Sequence, residues 1–322
     1  MTPDPTLSAL SDHLFSISVA LYSVAVLAFC AQLAFGRRTA AVPELVAAGG
    51  APLTPGAASA DISPEPASSR RWGQVGVLVA ALGAVTHAGV LVARGLAVGR
   101  LPWGNMYEFA TAMVLVATVS YLILAVRMPA VRHLGAFVLG PAVLALVLIG
   151  LFLYTDAGPL VAALRSYWLA VHVTAAIIGF GIFFVSSIAS IAYLARTRFD
   201  ARLAAGEGRS DSTIARLPSA ATLDRVAHRT AVFGFPIWTF AVIAGAIWAE
   251  SAWGRFWGWD PKETWAFIAW VVYAAYLHAR TTAGWRGRPA AWVNVTGLVV
   301  MVFNLLYVNM VSTGLHSYAG LK

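Results

Sequence analysis

Eight apolar stretches of membrane-spanning length divide this chain, at about 13–35, 73–94, 106–126, 133–153, 166–194, 230–250, 261–281 and 291–314. One water-soluble core cannot bury all of them in 322 residues, of which 59% are hydrophobic and 11% charged. In hydrocarbon every backbone polar group needs an internal partner, and stretches of about twenty residues meet that need as helices. The sequence therefore predicts an all-α polytopic membrane protein with about eight transmembrane helices. The first stretch follows an acidic N-terminus (Asp4, Asp12) and is itself membrane-length, so it reads as a span and not as a cleavable signal.

Charge sets the orientation. Sixteen of the 22 Lys and Arg residues fall in one set of alternate loops and six in the other. The richer set belongs in the cytoplasm. Both termini are then expected outside, in a multi-pass protein of the cytoplasmic membrane. The net charge of +8 and the pI near 10.0 are accounted for by the cytoplasmic loops, so no nucleic-acid partner is called for. Residues 39–69, rich in Ala, Pro, Ser and Gly, read as a disordered cytoplasmic linker, and 199–222 as a second polar one. The chain divides into residues 1–105, with the first two spans and the linker, and a six-span core over 106–322. Cys30 is the only cysteine. That excludes an intramolecular disulfide and a dithiol oxidoreductase, and without Cys-x-x-Cys-His the chain is not itself a c-type cytochrome.

Between the sixth and seventh stretches lies Trp253-Gly-Arg-Phe-Trp257-Gly-Trp259-Asp260-Pro-Lys262-Glu263-Thr-Trp265, within an external segment 251–265. Aromatic residues collect at membrane interfaces for general reasons, but four tryptophans at this spacing also suit a large planar ligand. The second half encodes a helix start: Asp260 at the cap, Pro261 at the first position and Glu263 completing a capping box. Asn105 and Glu108 have the same relation at the third span. The N-terminus of the seventh span favours an anion, and Lys262 and Arg255 stand beside it. Haem, flat, apolar and bearing two propionates, matches tryptophan faces, dipole and cations together, with Arg255 a candidate propionate contact.

Histidine depth extends the idea. His172, about two turns into the fifth span, and His316, just past the eighth, share the level of the aromatic segment. They read as a pair of axial ligands, although singly each fits a hydrogen-bonded packing role. His278 lies 17 residues past Pro261, roughly 26 Å down a helix. An ionisable group that deep is a functional candidate, and it implies an inner haem position. His87 sits some 15 Å from that level, so a second inner ligand is expected from another polypeptide. His87 reads either as lining a route between the two positions or as packing.

Together these residues resemble the tryptophan-rich "WWD" signature of haem-handling membrane proteins, and within that superfamily the CcsA/ResC component of System II cytochrome c biogenesis. Trp168-Leu-Ala-Val-His172, Asn105-Met-Tyr-Glu108, Tyr276-Leu-His278-Ala-Arg280 and Gly314-Leu-His316-Ser-Tyr-Ala319 carry the resemblance from the third span to the C-terminus. It implies that haem b enters from the cytoplasmic side past His278 and is held outside against the WWD residues by His172 and His316. It implies a ResB/Ccs1-type membrane partner. It also implies apocytochrome c as the second substrate, its Cys-x-x-Cys-His thiols forming thioethers with the haem vinyl groups, so that the chain is the WWD subunit of a holocytochrome c synthetase (haem lyase). Catalysis would be mostly positioning; Tyr318 and Lys262 are the candidates for an acid, with nothing favouring either. Two other readings stand beside this one. One is a haem exporter or chaperone without attachment activity, similar to CcmC. The other is an ion-coupled transporter lined by Asn294, Asn304 and Asn309.

Overall fold

The computed structural model describes residues 3–35, 65–159, 164–207 and 212–316. Among these residues eight α-helices follow one another: α1 (Pro5–Ala34), α2 (Ala67–Val98), α3 (Met106–Arg127), α4 (Gly135–Phe152), α5 (Tyr167–Ala204), α6 (Ala220–Trp253), α7 (Pro261–Thr281) and α8 (Arg288–Phe303), the last continued by a π-helical turn over Asn304–Val308. No strand occurs among the described residues. Seven of these segments are long and apolar enough by themselves to cross a membrane. The exception is α7, whose 21 residues include Lys262, Glu263, His278 and Arg280. The all-α polytopic membrane architecture read from the sequence is what the chain forms, and a count of eight spans rests on α7.

Helix ends depart from the apolar stretches because capping and packing extend helices beyond the hydrocarbon pattern. Asp4 caps α1 by accepting from the N–H groups of Thr6 and Leu7. α2 starts at Ala67, inside the expected linker, whose residues 39–64 lie outside the described ones. The second expected linker is partly helical: α5 runs on to Ala204, a short 3-10 turn spans Thr213–Arg216, and α6 begins at Ala220. Arg216 donates to the carbonyls of Leu33 and Ala34, tying this side of the bundle to the end of α1.

Packing follows membrane logic. α1 lies closely on α2, where a Cβ at Gly76 or Gly83 would stand 2.8 Å from the rings of Phe29 and Tyr22. Small residues at such contacts let helix backbones approach where lipid gives little hydrophobic drive for association. Large apolar side chains point outward instead, among them Leu78, Val85, Val92 and Leu96 of α2. Polar groups turn inward. Asn294 of α8 donates to Ser186 Oγ (2.9 Å) and Ser190 Oγ (2.8 Å) of α5 and accepts from Ser187 Oγ (3.0 Å). That bonding locks α8 to α5 and engages Asn294 in helix packing, not in a polar lining.

One end of the bundle is held by a buried charge cluster. Glu108 is fully buried and Arg94 is 2% exposed; Arg94 Nε lies 3.0 Å from Glu108 Oε1, and Arg100 Nη1 lies 2.8 Å from Oε2. Arg94 also donates to the carbonyl of Thr155, Arg100 donates to that of Gly158 at 3.0 Å, and the Arg94 guanidinium lies over the Tyr107 ring. The cluster thus fixes the end of α2, the start of α3 and the segment after α4. Removing one member strands the others: Glu108→Gln should cost about 3–5 kcal/mol, read as a lowered unfolding midpoint in detergent. Adding Arg94→Met to it should recover some of the loss, because one uncompensated buried cation is then gone.

Candidate functional site: an aromatic cleft with two oriented histidines

The connections bring five helix ends to one side of the bundle: the starts of α3, α5 and α7 and the ends of α6 and α8. There they enclose an open cleft, lined by residues that include Trp103, His172, Trp248, Trp257, Lys262 and His316. Its walls are mainly apolar and aromatic, with polar groups converging from α7 and the turn after α8.

His172 lies in the first turns of α5. Its Nδ1 is 2.8 Å from the carbonyl of Ala241 on α6, so the proton belongs on Nδ1 and the lone pair on Nε2. Its ring stacks on Trp248 at 6.0 Å and 9°. A Cβ at Gly245 would meet the imidazole at 2.7 Å, so the absence of a side chain there is what admits the histidine between α5 and α6.

His316 reaches the same tryptophan from the C-terminal segment. Its ring meets Trp248 edge-on at 5.6 Å and Trp253 at 4.8 Å. Its Nδ1 donates to Asp260 Oδ1 at 2.8 Å, and the backbone N–H of Leu315 donates to Asp260 Oδ2 at 2.7 Å. The two histidines therefore share a tautomer, each set by an oxygen behind it, as second-shell partners set metal-binding imidazoles. The sequence places both near the aromatic segment, and the structure brings them to one ring, Trp248.

Charge supports the arrangement. Burial raises the Asp260 carboxyl, but the hydrogen bond and charge of His316, with the N–H groups of Leu315 and Lys262, outweigh it and hold the group at about 2, below the ordinary 3.8. Burial lowers the His316 imidazole below its ordinary 6.5, against the pull of Asp260. The share of the Asp260 lowering owed to a charged His316 therefore acts only in acid, while the N–H bonds act at every pH. Near neutrality the pair is a carboxylate accepting from a neutral imidazole.

The WWD residues divide by task. Trp257 lines the cleft, whereas Trp253 backs His316 and Trp248. Trp259 has a left-handed backbone (φ 58°), costly for a bulky residue, and its 65%-exposed ring stands edge-on to Trp257. Trp265 packs on Phe303 of α8, at 4.3 Å between ring centres. The capping box forms: Asp260 accepts from the N–H of Lys262, and Glu263 accepts from the N–H groups of Asp260 and Gly258. Arg255 turns toward Glu263 (3.7 Å) and lies over Gly258, outside the cleft lining.

The remaining predicted residues lie elsewhere or act differently. Asn105 caps α3 through the N–H of Glu108. Glu108 closes that turn onto the N–H of Gly104 but is chiefly the anion of the arginine cluster. His278 is exposed on α7, three residues before the helix ends, and stands away from the cleft. His87 is buried against α1, its Nδ1 3.2 Å from the Tyr22 hydroxyl, also away from the cleft. Tyr318 lies outside the described residues. The residue missed from sequence is Trp248: it stands five positions before the motif, and only the fold shows both histidines on it.

An aromatic cleft with two pre-oriented imidazoles, at one end of a membrane-embedded helical bundle, offers the surfaces and donors that a planar metal-bearing ligand would need. Residues 103–316 match the cytochrome C assembly protein family, well over half of the chain, and the chain belongs to that family, with a role in cytochrome c maturation. The cytochrome c biogenesis protein CcsA of Parasynechococcus marenigrum (strain WH8102) is 36% identical over 271 residues, 78% of this chain and 88% of the relative. CcsA of Synechococcus elongatus (strain ATCC 33912 / PCC 7942 / FACHB-805) is 37% identical over 284 residues, 76% and 87% respectively. Among solved structures, the cytochrome c heme lyase CcmF superposes with a TM-score of 0.63 at 16% identity, covering 93% of this chain and 46% of that one; this is a likeness of fold.

The Asp260 contribution has a definite pH signature. A depressed carboxyl stabilises the fold fully above its ordinary pKa of 3.8 and loses that contribution as pH falls toward 2. Asp260→Asn should lower the unfolding midpoint at pH 7, and its gap to wild type should narrow between about pH 4 and pH 2. A gap constant over that range would assign the loss to packing.

Proposed function

We propose that this chain presents haem b to apocytochrome c at the aromatic cleft and shares in its covalent attachment, as the WWD subunit of a holocytochrome c synthetase. The observation that carries the reading is the pair His172 and His316. In each an oxygen beside Nδ1 sets the tautomer that puts the ring's lone pair on Nε2, and both rest on one buried tryptophan in a cleft rich in aromatic rings. The donor set suits haem iron, which these two imidazoles would hold.

In this reading the protein contributes orientation. Ala241 and Asp260 hold the imidazoles, Trp248 and Trp253 fix their planes, and Trp257 covers the apolar face. Haem supplies vinyl groups to which cysteine thiols add, each S–H adding across a C=C to leave a thioether with no net redox change. Holding iron and vinyl groups in place converts an encounter of two large molecules into an oriented reaction, an effect that can reach about 7–11 kcal/mol in well-aligned systems.

The arginine-poor loops support an extracytoplasmic cleft. His278, exposed on α7 and remote from the cleft, serves as an inner haem ligand whose partner comes from a ResB/Ccs1-type subunit. His87, enclosed beside Tyr22, has a packing role.

The test is the absorption spectrum of the detergent-purified protein, alone and co-expressed with such a partner. Bis-histidine Soret and α bands are expected, weakened strongly by His172→Ala or His316→Ala. His278→Ala should lower total haem and leave the spectrum of what remains unchanged. Colourless protein in both preparations would overturn the proposal.

A further inference from the structure

Lys262 has no ion-pair partner among the described residues and feels the charge of Asp260 only at longer range. It lines the aromatic cleft, and its Nζ donates to Asn309 Oδ1. No carboxylate comes within ion-pair distance of it among the described residues. The two nearest in sequence are turned to other groups: Asp260 holds His316, Leu315 and the Lys262 N–H, while Glu263 Oε2 takes the N–H groups of Gly258 and Asp260 and faces Arg255. An ammonium enclosed by apolar and aromatic surface is costly unless an anion joins it.

The backbone holds it there by a specific device. The π-helical turn over Asn304–Val308 interrupts the regular ladder at the end of α8, a departure common at functional sites. Asn309 Nδ2 then donates to the carbonyls of Leu305 (2.7 Å) and Asn304 (3.2 Å), which fixes the amide and points its oxygen at Lys262. Phe109 of α3 lies on the other side, its ring centre 5.9 Å from Nζ. The ammonium is thus set in position by neutral groups, in a cleft that also holds both histidines.

Resting on the haem reading above, we infer that Lys262 recognises a carboxylate of the cleft's ligand and makes the cleft selective for a porphyrin with free propionates over its neutral esters. Arg255 does not share this role, because its guanidinium is turned to Glu263 and Gly258.

Spectral titration of the purified full chain with ferric protoporphyrin IX and with its dimethyl ester tests this. Wild type should bind the free acid about tenfold or more tightly, the scale of one charge-assisted hydrogen bond. Lys262→Met should bind both alike, Lys262→Arg should keep most of the preference, and Arg255→Gln should leave it intact. Equal affinity of wild type for acid and ester would overturn the inference while sparing the haem site, and this comparison needs no variant to fold. Loss of the preference in Arg255→Gln, or its survival in Lys262→Met, would also overturn it. No spectral change with either porphyrin would instead overturn the haem reading itself.

Discussion

Asp260 does with two oxygens what a water-soluble protein can spread over many groups. It caps α7, receives the backbone of the C-terminal segment at Leu315, and sets the proton of His316. Within a helical bundle largely surrounded by lipid, a carboxylate must find its partners inside the protein, so one residue comes to join a helix start, the segment after α8 and an imidazole of the cleft. If α7 were capped by a residue with a single acceptor, the segment carrying His316 would lose a hydrogen bond to the bundle. His172 needs no such clamp, because α5 and α6 already enclose it.

Glu108 has the equivalent role at the start of α3. It joins α2, α3 and the segment after α4 through two arginines, beside the wall that Trp103 gives the cleft. Both carboxylates serve as internal acceptors that bring separate chain segments to one place. Asp260 has an imidazole to orient, whereas Glu108 has cations to neutralise, and only the first of these arrangements reaches the ligand cleft.

Much of this was legible in the sequence, for physical reasons. Hydrocarbon demands long apolar helices, so the all-α architecture follows from run length alone. The capping box at Asp260 and the cap at Asn105 are local, and their residue spacing is enough to see them. Depth along a helix is also local, and it put His172 and His316 at one level. What was hidden depends on side-chain direction across elements. Arg94 looks like a polar interruption near the end of a span until Glu108, fourteen residues later, is seen folded against it. Arg255 and Lys262 look equivalent until one turns to Glu263 and the other to the cleft. Trp248 has no spacing that marks it. Nor could hydropathy foretell where α2, α5 and α6 end, because capping and contacts beyond the apolar pattern decide that.

α5 has a consequence beyond the site at its start. Its 38 residues span about 57 Å, nearly twice the roughly 30 Å of a bilayer's hydrocarbon. His172 occupies one end; at the other, Arg196 grips the carbonyls of Ala215 and Leu217, in the same turn from which Arg216 reaches α1. One continuous strut therefore connects the imidazole to the loops on the opposite face. A small tilt of such a rod displaces its two tips in opposite directions, so a push on those loops is felt at the cleft on the other side.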